Sequence, residues 1–332
     1  MAVVGGSAAS HNNFWQLFVR PTGSASWRLA TPPGVASNGG LVLAGLSAGT
    51  VLAGFRPSQD LSYSPLATTK DAGKIWSPSL LDAALADVPG ALAADPGTGR
   101  LLALLSDGTA ESSGPGSTAW TRLTTRQAIA TSPAGARCRP DSLTAVAFSP
   151  SGQPMLAGSC GRPGIAGIFS HSGGSWRLAG PELPASYAHQ PITVLRLTTT
   201  GGTMTALLSA GNAPATRLLA AWSTDGGEHW SLSPALPLDH VTLKAASAGP
   251  VGDLGVMMSN HHAATISTTA HAWQPLPVLP PGTATLAASP SGGWNALAVH
   301  RTQLTIWQAA PGADSWSSEQ VLKVPVQFGS SG

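Results

Sequence analysis

The segment Ser223-Thr224-Asp225-Gly226-Gly227-Glu228-His229-Trp230 is the most informative stretch of this chain, because its pattern recurs. A second full version is Thr69-Lys70-Asp71-Ala72-Gly73-Lys74-Ile75-Trp76. Weaker versions end at the other members of a series of tryptophans, which lie 43 to 56 residues apart: Trp27, Trp76, Trp120, Trp176, Trp230, Trp273 and Trp316. A phrase that returns at nearly constant spacing predicts an array of similar structural units.

Three short runs of β-forming residues precede the tryptophan phrase, so one unit contains four predicted strands, A to D. In the best-defined unit these strands are Ile192–Leu197, Thr203–Leu208, Arg217–Trp222 and Trp230–Leu232. Gly- and Pro-rich turns join strands A and B, and only residues 79–88 have a pattern that could form a turn or two of helix. Four short strands in a repeat of 43 to 56 residues are typical of a propeller blade.

The pattern therefore predicts an all-β fold, a β-propeller of about seven four-stranded blades. Six or eight blades are alternatives, because residues 14–30 supply only strands C and D of a first blade. We expect a flexible N-terminal lead over residues 1–10, one propeller domain over residues 11–328 and a flexible tail over residues 329–332.

The two full phrases resemble the Asp-box, S/T-x-D-x-G-x-x-W, the repeat of sialidase-like propellers. The resemblance implies a turn between strands C and D, at the rim opposite the ligand face. In such a turn the hydroxyl and the carboxylate can accept backbone N–H groups, the glycine takes a positive φ and the tryptophan folds into the blade. We assign structural, non-catalytic roles to Thr69, Asp71, Gly73, Trp76, Ser223, Asp225, Gly227 and Trp230.

Composition excludes several classes of function. Apolar residues make up 42% of the chain, which argues against disorder. Charged residues make up 10% and the net charge is +2, too little for a nucleic-acid footprint. No run approaches the length of a transmembrane helix, and residues 1–13 do not resemble a signal peptide. The Gly- and Ser-rich ends suggest an excised ectodomain, with any membrane anchor outside this sequence.

Cys138 and Cys160 flank a predicted hairpin of residues 144–148 and 154–158, which places both near its open end. We expect a disulfide between them, and hence an oxidising compartment. The alternative is a pair of free thiols in a cytosolic protein. With the resemblance, this favours an extracellular or cell-surface bacterial protein, and we expect a monomer.

If the C–D and A–B turns share one face, the B–C and D–A loops share the other. The polar candidates on these loops are Arg56, Asp60, Tyr63, Arg162, Tyr187, His189, Asp239, His240, His261, His262, His300 and Arg301. The same loops carry Asn212, Asn260, Arg137, Arg139 and Asp141. Converging aromatic, Arg and His side chains are typical of a polar-ligand or carbohydrate site, although loops are polar in most proteins.

The resemblance does not extend to sialidase chemistry. Sialidases clamp a carboxylate with three arginines and use a Tyr nucleophile with a Glu partner. This chain has 2 tyrosines, Tyr63 and Tyr187, and Glu182 is the sole glutamate close in sequence to either. A glycosidase needs two facing carboxylates, and such a pair is hard to assemble from the acids of these loops.

The sequence carries no zinc-ligand spacing, phosphate-binding loop or cofactor fingerprint. We therefore predict a non-catalytic, extracytoplasmic binding or scaffold propeller that recognises a protein or a glycan through the D–A and B–C loops. We expect no cofactor, no metal and no nucleic-acid partner. The alternative is a sialidase-like or other propeller glycoside hydrolase.

Overall fold

Short antiparallel strands joined by tight turns make up most of the structure. The computed structural model describes residues 2–5, 15–21, 24–31, 37–47, 50–57, 66–79, 89–115, 117, 119–270, 272–300 and 303–323. The chain divides into two compact units: unit 1 contains the described residues up to Thr131 and Leu143–Phe148, and unit 2 contains Ser132–Ser142 and the described residues from Ser149 onward. Most of the predicted helical stretch, residues 80–88, lies outside the described residues.

Unit 1 holds three antiparallel sheets in its described residues. The first contains β1 (Ala2–Gly5), β2 (Trp15–Val19) and β3 (Arg28–Leu29); the second contains β4 (Ser37–Ser47), β5 (Thr50–Pro57), β6 (Leu66–Thr69) and β7 (Ser77–Ser79); the third contains β8 (Ala91–Ala94), β9 (Leu101–Leu104), β10 (Thr109–Ser113) and β11 (Thr121–Thr125). The first sheet differs from the sequence prediction, which gives it two strands. Its third strand, β1, lies in the expected N-terminal lead and pairs with β2.

Two short helices follow β11, and the sequence analysis does not predict either. They are α1 (Arg126–Ala130) in unit 1 and α2 (Pro133–Cys138) in unit 2. Thr125 and Ser132 cap them, since each hydroxyl accepts a backbone N–H of the first turn. Helices this short show no hydrophobic periodicity, so these caps are their sole sequence signal.

Strand β12 (Pro140–Phe148) divides between the units after Ser142. The strands of unit 2 that follow are β13 (Pro154–Cys160), β14 (Gly167–Ser172), β15 (Ser175–Leu178), β16 (Ile192–Thr200), β17 (Thr203–Ala210), β18 (Arg217–Ser223), β19 (Ser231–Leu232), β20 (Leu236–Pro237), β21 (Leu243–Ala248), β22 (Leu254–Met258), β23 (Ala263–Ile266), β24 (Gln274–Pro275), β25 (Thr283–Ala288), β26 (Trp294–His300), β27 (Gln303–Ala309) and β28 (Ser317–Lys323). The predicted strands at residues 192–197, 203–208 and 217–222 match β16, β17 and β18.

Unit 2 contains two separate four-stranded sheets, β21–β24 and β25–β28, and one longer sheet. The longer sheet has the order β15-β14-β13-β16-β17-β18-β19. Its two halves meet through the pair Ser159 and Thr193, which joins β13 to β16.

The core consists of alternating strand residues. In unit 2 one cluster contains the fully buried Leu207, Leu218 and Leu254, from β17, β18 and β22. In unit 1 another cluster packs Leu52 and Leu101 with Trp120. Consecutive residues of β18 and β22 are buried, so both faces of these strands are covered, and members of the cluster alternate along each strand.

Cys138 and Cys160 form the predicted disulfide, with Cα atoms 4.9 Å apart, a normal separation for such a bond. No helix among the described residues is long and apolar enough to cross a membrane.

Candidate functional site

An open groove of about 630 Å³ in unit 2 is the candidate site. Its lining comes from β16, β17, the turn between β17 and β18, the start of β18, the segment that leads into β21 and the first residue of β21: Leu195, Ser209, Ala213, Pro214, Thr216, Leu218, Leu238, His240, Val241, Thr242 and Leu243. Most of these side chains are apolar, with Ser, Thr and His groups among them. The turn between β17 and β18 is a predicted B–C loop and the segment before β21 is a predicted D–A loop, so the groove lies where the two kinds of loop meet.

Backbone hydrogen bonds hold the groove walls together. The N–H of Leu238 donates to the carbonyl of Thr216 at 2.9 Å, and the N–H of His240 donates to the carbonyl of Pro214 at 3.3 Å. The Ala213–Pro214 peptide bond is cis, and His240 has a φ of 68°. A non-glycine residue with positive φ is uncommon and often lies at a functional site.

The floor of the groove is the apolar core of unit 2. Leu218 and Leu238 belong to the buried cluster, while Leu195, Val241 and Leu243 are partly buried and pack against it. Leu195 is the extra residue of a bulge in β16, where the register shifts between Val194 and Arg196. Because a bulge redirects side chains, Leu195 lies along the groove rather than in the regular alternation.

The twelve ligand-face candidates are distributed widely. Asp60, Tyr63 and Arg301 lie outside the described residues, and Arg56 lies in β5. Tyr187 ends a 3-10 turn (Ala185–Tyr187) and is buried. Exposed side chains are found at Arg162, His189, Asp239, His240, His261, His262 and His300.

Two of these candidates, Asp239 and His240, lie at the groove, next to the B–C turn between β17 and β18. Asp239 and His240 form the D–A bend, and His240 lines the groove. His261 and His262 occupy the next B–C turn, which joins the groove through Ser259, whose hydroxyl accepts the N–H of Thr242 at 3.0 Å. Within the described part of the chain, no three His, Cys, Asp or Glu side chains form a group that could hold a metal ion.

The Thr69–Trp76 turn joins β6 to β7, the Ser223–Trp230 turn joins β18 to β19, and the two turns share one hydrogen-bond pattern. The hydroxyls of Thr69 and Ser223 each accept the N–H of the glycine four residues on, both at 2.9 Å. Asp71 and Asp225 accept the two N–H groups at positions three and four beyond them. Both carboxylates are thus engaged in hydrogen bonds within their own turns.

Each turn is also tied to the end of an earlier strand, β3 for the Thr69–Trp76 turn and β15 for the Ser223–Trp230 turn, a contact that no sequence pattern predicts. The indole N–H of Trp76 donates to Ala30 at 2.9 Å, and that of Trp230 donates to Ala179 at 2.8 Å. The same tetrapeptide, Trp-Arg-Leu-Ala, ends at both alanines. Its arginines, Arg28 and Arg177, donate to the carbonyls of Ala72 and Gly226 in the two turns.

Trp273 and Trp316 make the same type of bond, to Pro234 at 3.0 Å and to Pro277 at 3.1 Å. Trp120 does not: it is buried in the core of unit 1, and its indole nitrogen has no hydrogen-bond partner among the described residues. Among the described residues, the recurring tryptophan therefore bonds a backbone carbonyl 39 to 51 residues earlier in the chain at four of its seven positions.

The two turn carboxylates are stabilised in their charged form. The backbone N–H of Ile75 is the main cause that lowers the pKa of Asp71 below its ordinary 3.8. The backbone N–H of His229, followed by its side chain, lowers the pKa of Asp225 strongly. In return, the hydrogen bond that His229 Nδ1 donates to Asp225 Oδ2, at 2.7 Å, raises the pKa of that histidine above 6.5.

Solved structures similar to this chain share its fold at low sequence identity. YCF48 bound to D1 peptide has a TM-score of 0.53 and 14% identity, covering 86% of this chain and 83% of that one. A virginiamycin B lyase from Staphylococcus aureus has a TM-score of 0.54 and 11% identity, and the match covers 87% of this chain and 84% of that one. The polysaccharide lyase Uly1 has a TM-score of 0.55 and 11% identity, and the match covers 85% of this chain and 81% of that one.

These neighbours are β-propellers, so the likeness shows a propeller fold for this chain. No protein-family model matches the sequence, and no curated protein is similar to it. The neighbours include both binding proteins and lyases, and at such low identity they carry no information on function.

Proposed function

We propose that this chain is a non-catalytic, extracytoplasmic Asp-box propeller of about seven blades that binds a polypeptide segment of a partner protein in the groove beside His240. The apolar groove is the observation that carries the proposal. Its floor is already packed against a core cluster, so an apolar side chain that enters it gains burial without rearrangement of the walls.

The composition of the lining favours a polypeptide over a sugar. A saccharide ring needs several hydrogen-bonding groups as well as an aromatic platform, and the lining offers Ser209, Thr216, Thr242 and His240 with no aromatic side chain apart from that imidazole. A peptide with an apolar anchor fits better, because its side chain meets Leu195, Val241 and Leu243 while its backbone meets the hydroxyl groups. A propeller neighbour solved with a peptide supports this use of the fold.

The hydrolase alternative finds no support in this groove. A glycosidase requires two carboxylates that face each other across the substrate, and the described lining contains none. The disulfide between Cys138 and Cys160 supports an oxidising compartment.

Peptide display tests the proposal. A random-peptide library selected on the immobilised protein should yield peptides with a shared apolar residue. Val241→Asp, which places a charge in the groove, should weaken them about tenfold or more, since one buried apolar side chain contributes about 1.5–3 kcal/mol.

A matched control is Val278→Asp, because Val278 is 94% exposed and lies outside the groove. Thr242→Trp, which fills the groove from an exposed position, serves as a second variant if Val241→Asp unfolds the protein. Selected peptides that bind both groove variants as tightly as the wild type would overturn the proposal, as would a library that yields no binder.

A further inference from the structure

A second cleft lies beside the Ser223–Trp230 turn. It has a volume of about 610 Å³ and is lined by Arg137, Arg177, Leu178, Ala179, Gly180, Glu182, Gly227, Glu228, His229 and Trp230. None of the twelve ligand-face candidates lines it. The sequence analysis treats this turn as structural, so the cleft is a site that the resemblance does not predict.

Two walls of the cleft are fixed to each other. Trp230 and Arg177 make the hydrogen bonds to Ala179 and Gly226 described above. Gly227 lies so close to the facing strand end that a Cβ there would be 2.9 Å from the carbonyl oxygen of Ala179. A cleft whose walls are already bonded loses little freedom when a ligand binds.

The third wall is helix α2, which carries Arg137. The next residue, Cys138, forms the disulfide with Cys160, so the end of this helix is covalently anchored. Arg137 is exposed, and its guanidinium has no hydrogen-bond or ion-pair partner among the described residues. The disulfide thus holds a free set of donors at the edge of the cleft.

The lining offers complementary hydrogen-bonding groups around an aromatic wall. Arg137 supplies donors, the exposed carboxylates of Glu182 and Glu228 supply acceptors, and the half-buried indole of Trp230 supplies an apolar face. The two arginines balance the two glutamates, and His229 is paired with Asp225, so the cleft favours neither a polyanion nor a polycation.

We infer that this cleft binds a neutral saccharide. Sugar rings present hydroxyl groups that both donate and accept, together with an apolar C–H face that packs on an aromatic ring, and the cleft combines partners for each. This inference does not depend on the peptide groove, which has its own lining residues. One chain would then hold a peptide and a sugar at separate places.

Calorimetric titration with soluble oligosaccharides tests the inference. The probes are cellohexaose, chitohexaose, maltohexaose and laminarihexaose, with oligogalacturonate as an acidic comparison. We expect at least one neutral probe to bind, and Arg137→Ala and Glu228→Gln each to weaken it about tenfold, as for loss of one hydrogen bond to a charged group. Both residues are exposed, so neither change should alter the melting temperature.

Arg162→Ala is the matched control, because Arg162 is an exposed arginine two residues after Cys160 and outside the cleft. It should bind the probe as the wild type does, and so should the groove variant Val241→Asp. That second result separates failure of the peptide groove from failure of this site. Absence of binding by all neutral probes, binding of oligogalacturonate alone, or affinity unchanged by Arg137→Ala and Glu228→Gln would overturn the inference.

Discussion

The Thr69–Trp76 turn in unit 1 and the Ser223–Trp230 turn in unit 2 have the same internal hydrogen bonds and the same attachment to a Trp-Arg-Leu-Ala strand end. They differ at the two exposed positions before the tryptophan, which are Lys74 and Ile75 in one and Glu228 and His229 in the other. The buried half of the motif is therefore constrained by packing, while the exposed half is free to vary. The saccharide binding inferred for the second cleft involves Glu228, in the exposed half.

The largest expected loss of stability comes from replacing the buried glycine of either turn by alanine. Gly73 and Gly227 have φ values of +81° and +87°, and a Cβ would lie 2.8 Å from Ala30 Cβ in one case and 2.9 Å from the Ala179 carbonyl in the other. Gly73→Ala and Gly227→Ala should each lower the free energy of unfolding by about 2–5 kcal/mol, from backbone strain plus overpacking. Urea denaturation measures this loss.

Gly226→Ala separates the two contributions. Gly226 has a φ of +76° but nothing within 4 Å of its Cβ position, so its replacement adds strain without a clash. We expect a smaller loss, about 1–2 kcal/mol. Equal losses at Gly226 and Gly227 would show that the packing against Ala179 is unimportant.

The next effect concerns the indole hydrogen bonds. Trp76→Phe and Trp230→Phe leave the carbonyls of Ala30 and Ala179 without this donor, and each should cost about 1–3 kcal/mol of unfolding free energy. Trp176→Phe is the control, since Trp176 is equally half-buried but its indole nitrogen makes no hydrogen bond within the described residues. A difference between the Trp76 and Trp230 variants would mean that the two attachments are not equivalent.

The pH dependence of the unfolding free energy should also distinguish the two turns. Asp71 and Asp225 both have a lowered pKa in the folded state, so their contribution is complete above about pH 4 and is lost as the pH falls through the folded pKa. The raised pKa of His229 acts in the other direction. Its contribution is complete below about pH 6.5 and is lost as the pH rises through the folded pKa.

NMR titration of His229 should therefore give a pKa above 6.5 in the wild type and a normal value in Asp225→Asn. Stability near neutral pH should fall with rising pH in the wild type but not in His229→Gln. The Thr69–Trp76 turn has Ile75 at the equivalent position and offers no such neutral-pH dependence.

The smallest effect on stability is expected from exchanging the exposed pairs. Glu228→Lys with His229→Ile, and Lys74→Glu with Ile75→His, should each change the unfolding free energy by less than about 0.5 kcal/mol, as exposed substitutions generally do. The first exchange should nevertheless abolish binding of the neutral saccharide, and the second should leave it unchanged. Thermal melting and calorimetry on the same samples check both halves of this expectation.

Much of the fold was predictable because its signals are local. Short runs of β-forming residues predicted β16, β17 and β18 closely, and the serine or threonine, aspartate and glycine positions predicted the hydrogen bonds within the turns. Helices α1 and α2 were missed, since Thr125 and Ser132 are ordinary loop residues until their caps are seen. Strand β1 was missed as well, because only its pairing with β2 distinguishes it from an irregular lead.

The candidate sites were predictable only in part. His240 was grouped with the B–C and D–A loops, but Leu195, Val241 and Leu243 were predicted as ordinary strand residues, and a bulge in β16 places the first of them along the groove. Arg137 was grouped with the D–A loops, whereas α2 brings it to the Ser223–Trp230 turn. The polar residues of predicted loops can be listed from a sequence. Whether their side chains come together at one site depends on which backbone segments pack against each other.

The sequence by itself determined the repeat, the all-β class, the turn chemistry and the pairing of Cys138 with Cys160, because each depends on local patterning or on one close pair. Tertiary structure alone decided that four of the recurring tryptophans bond to carbonyls far back in the chain, that the apolar groove opens beside His240, and that Arg137 and Trp230 line one cleft. Those contacts join residues far apart in the chain, and their geometry follows from packing, which no local pattern specifies.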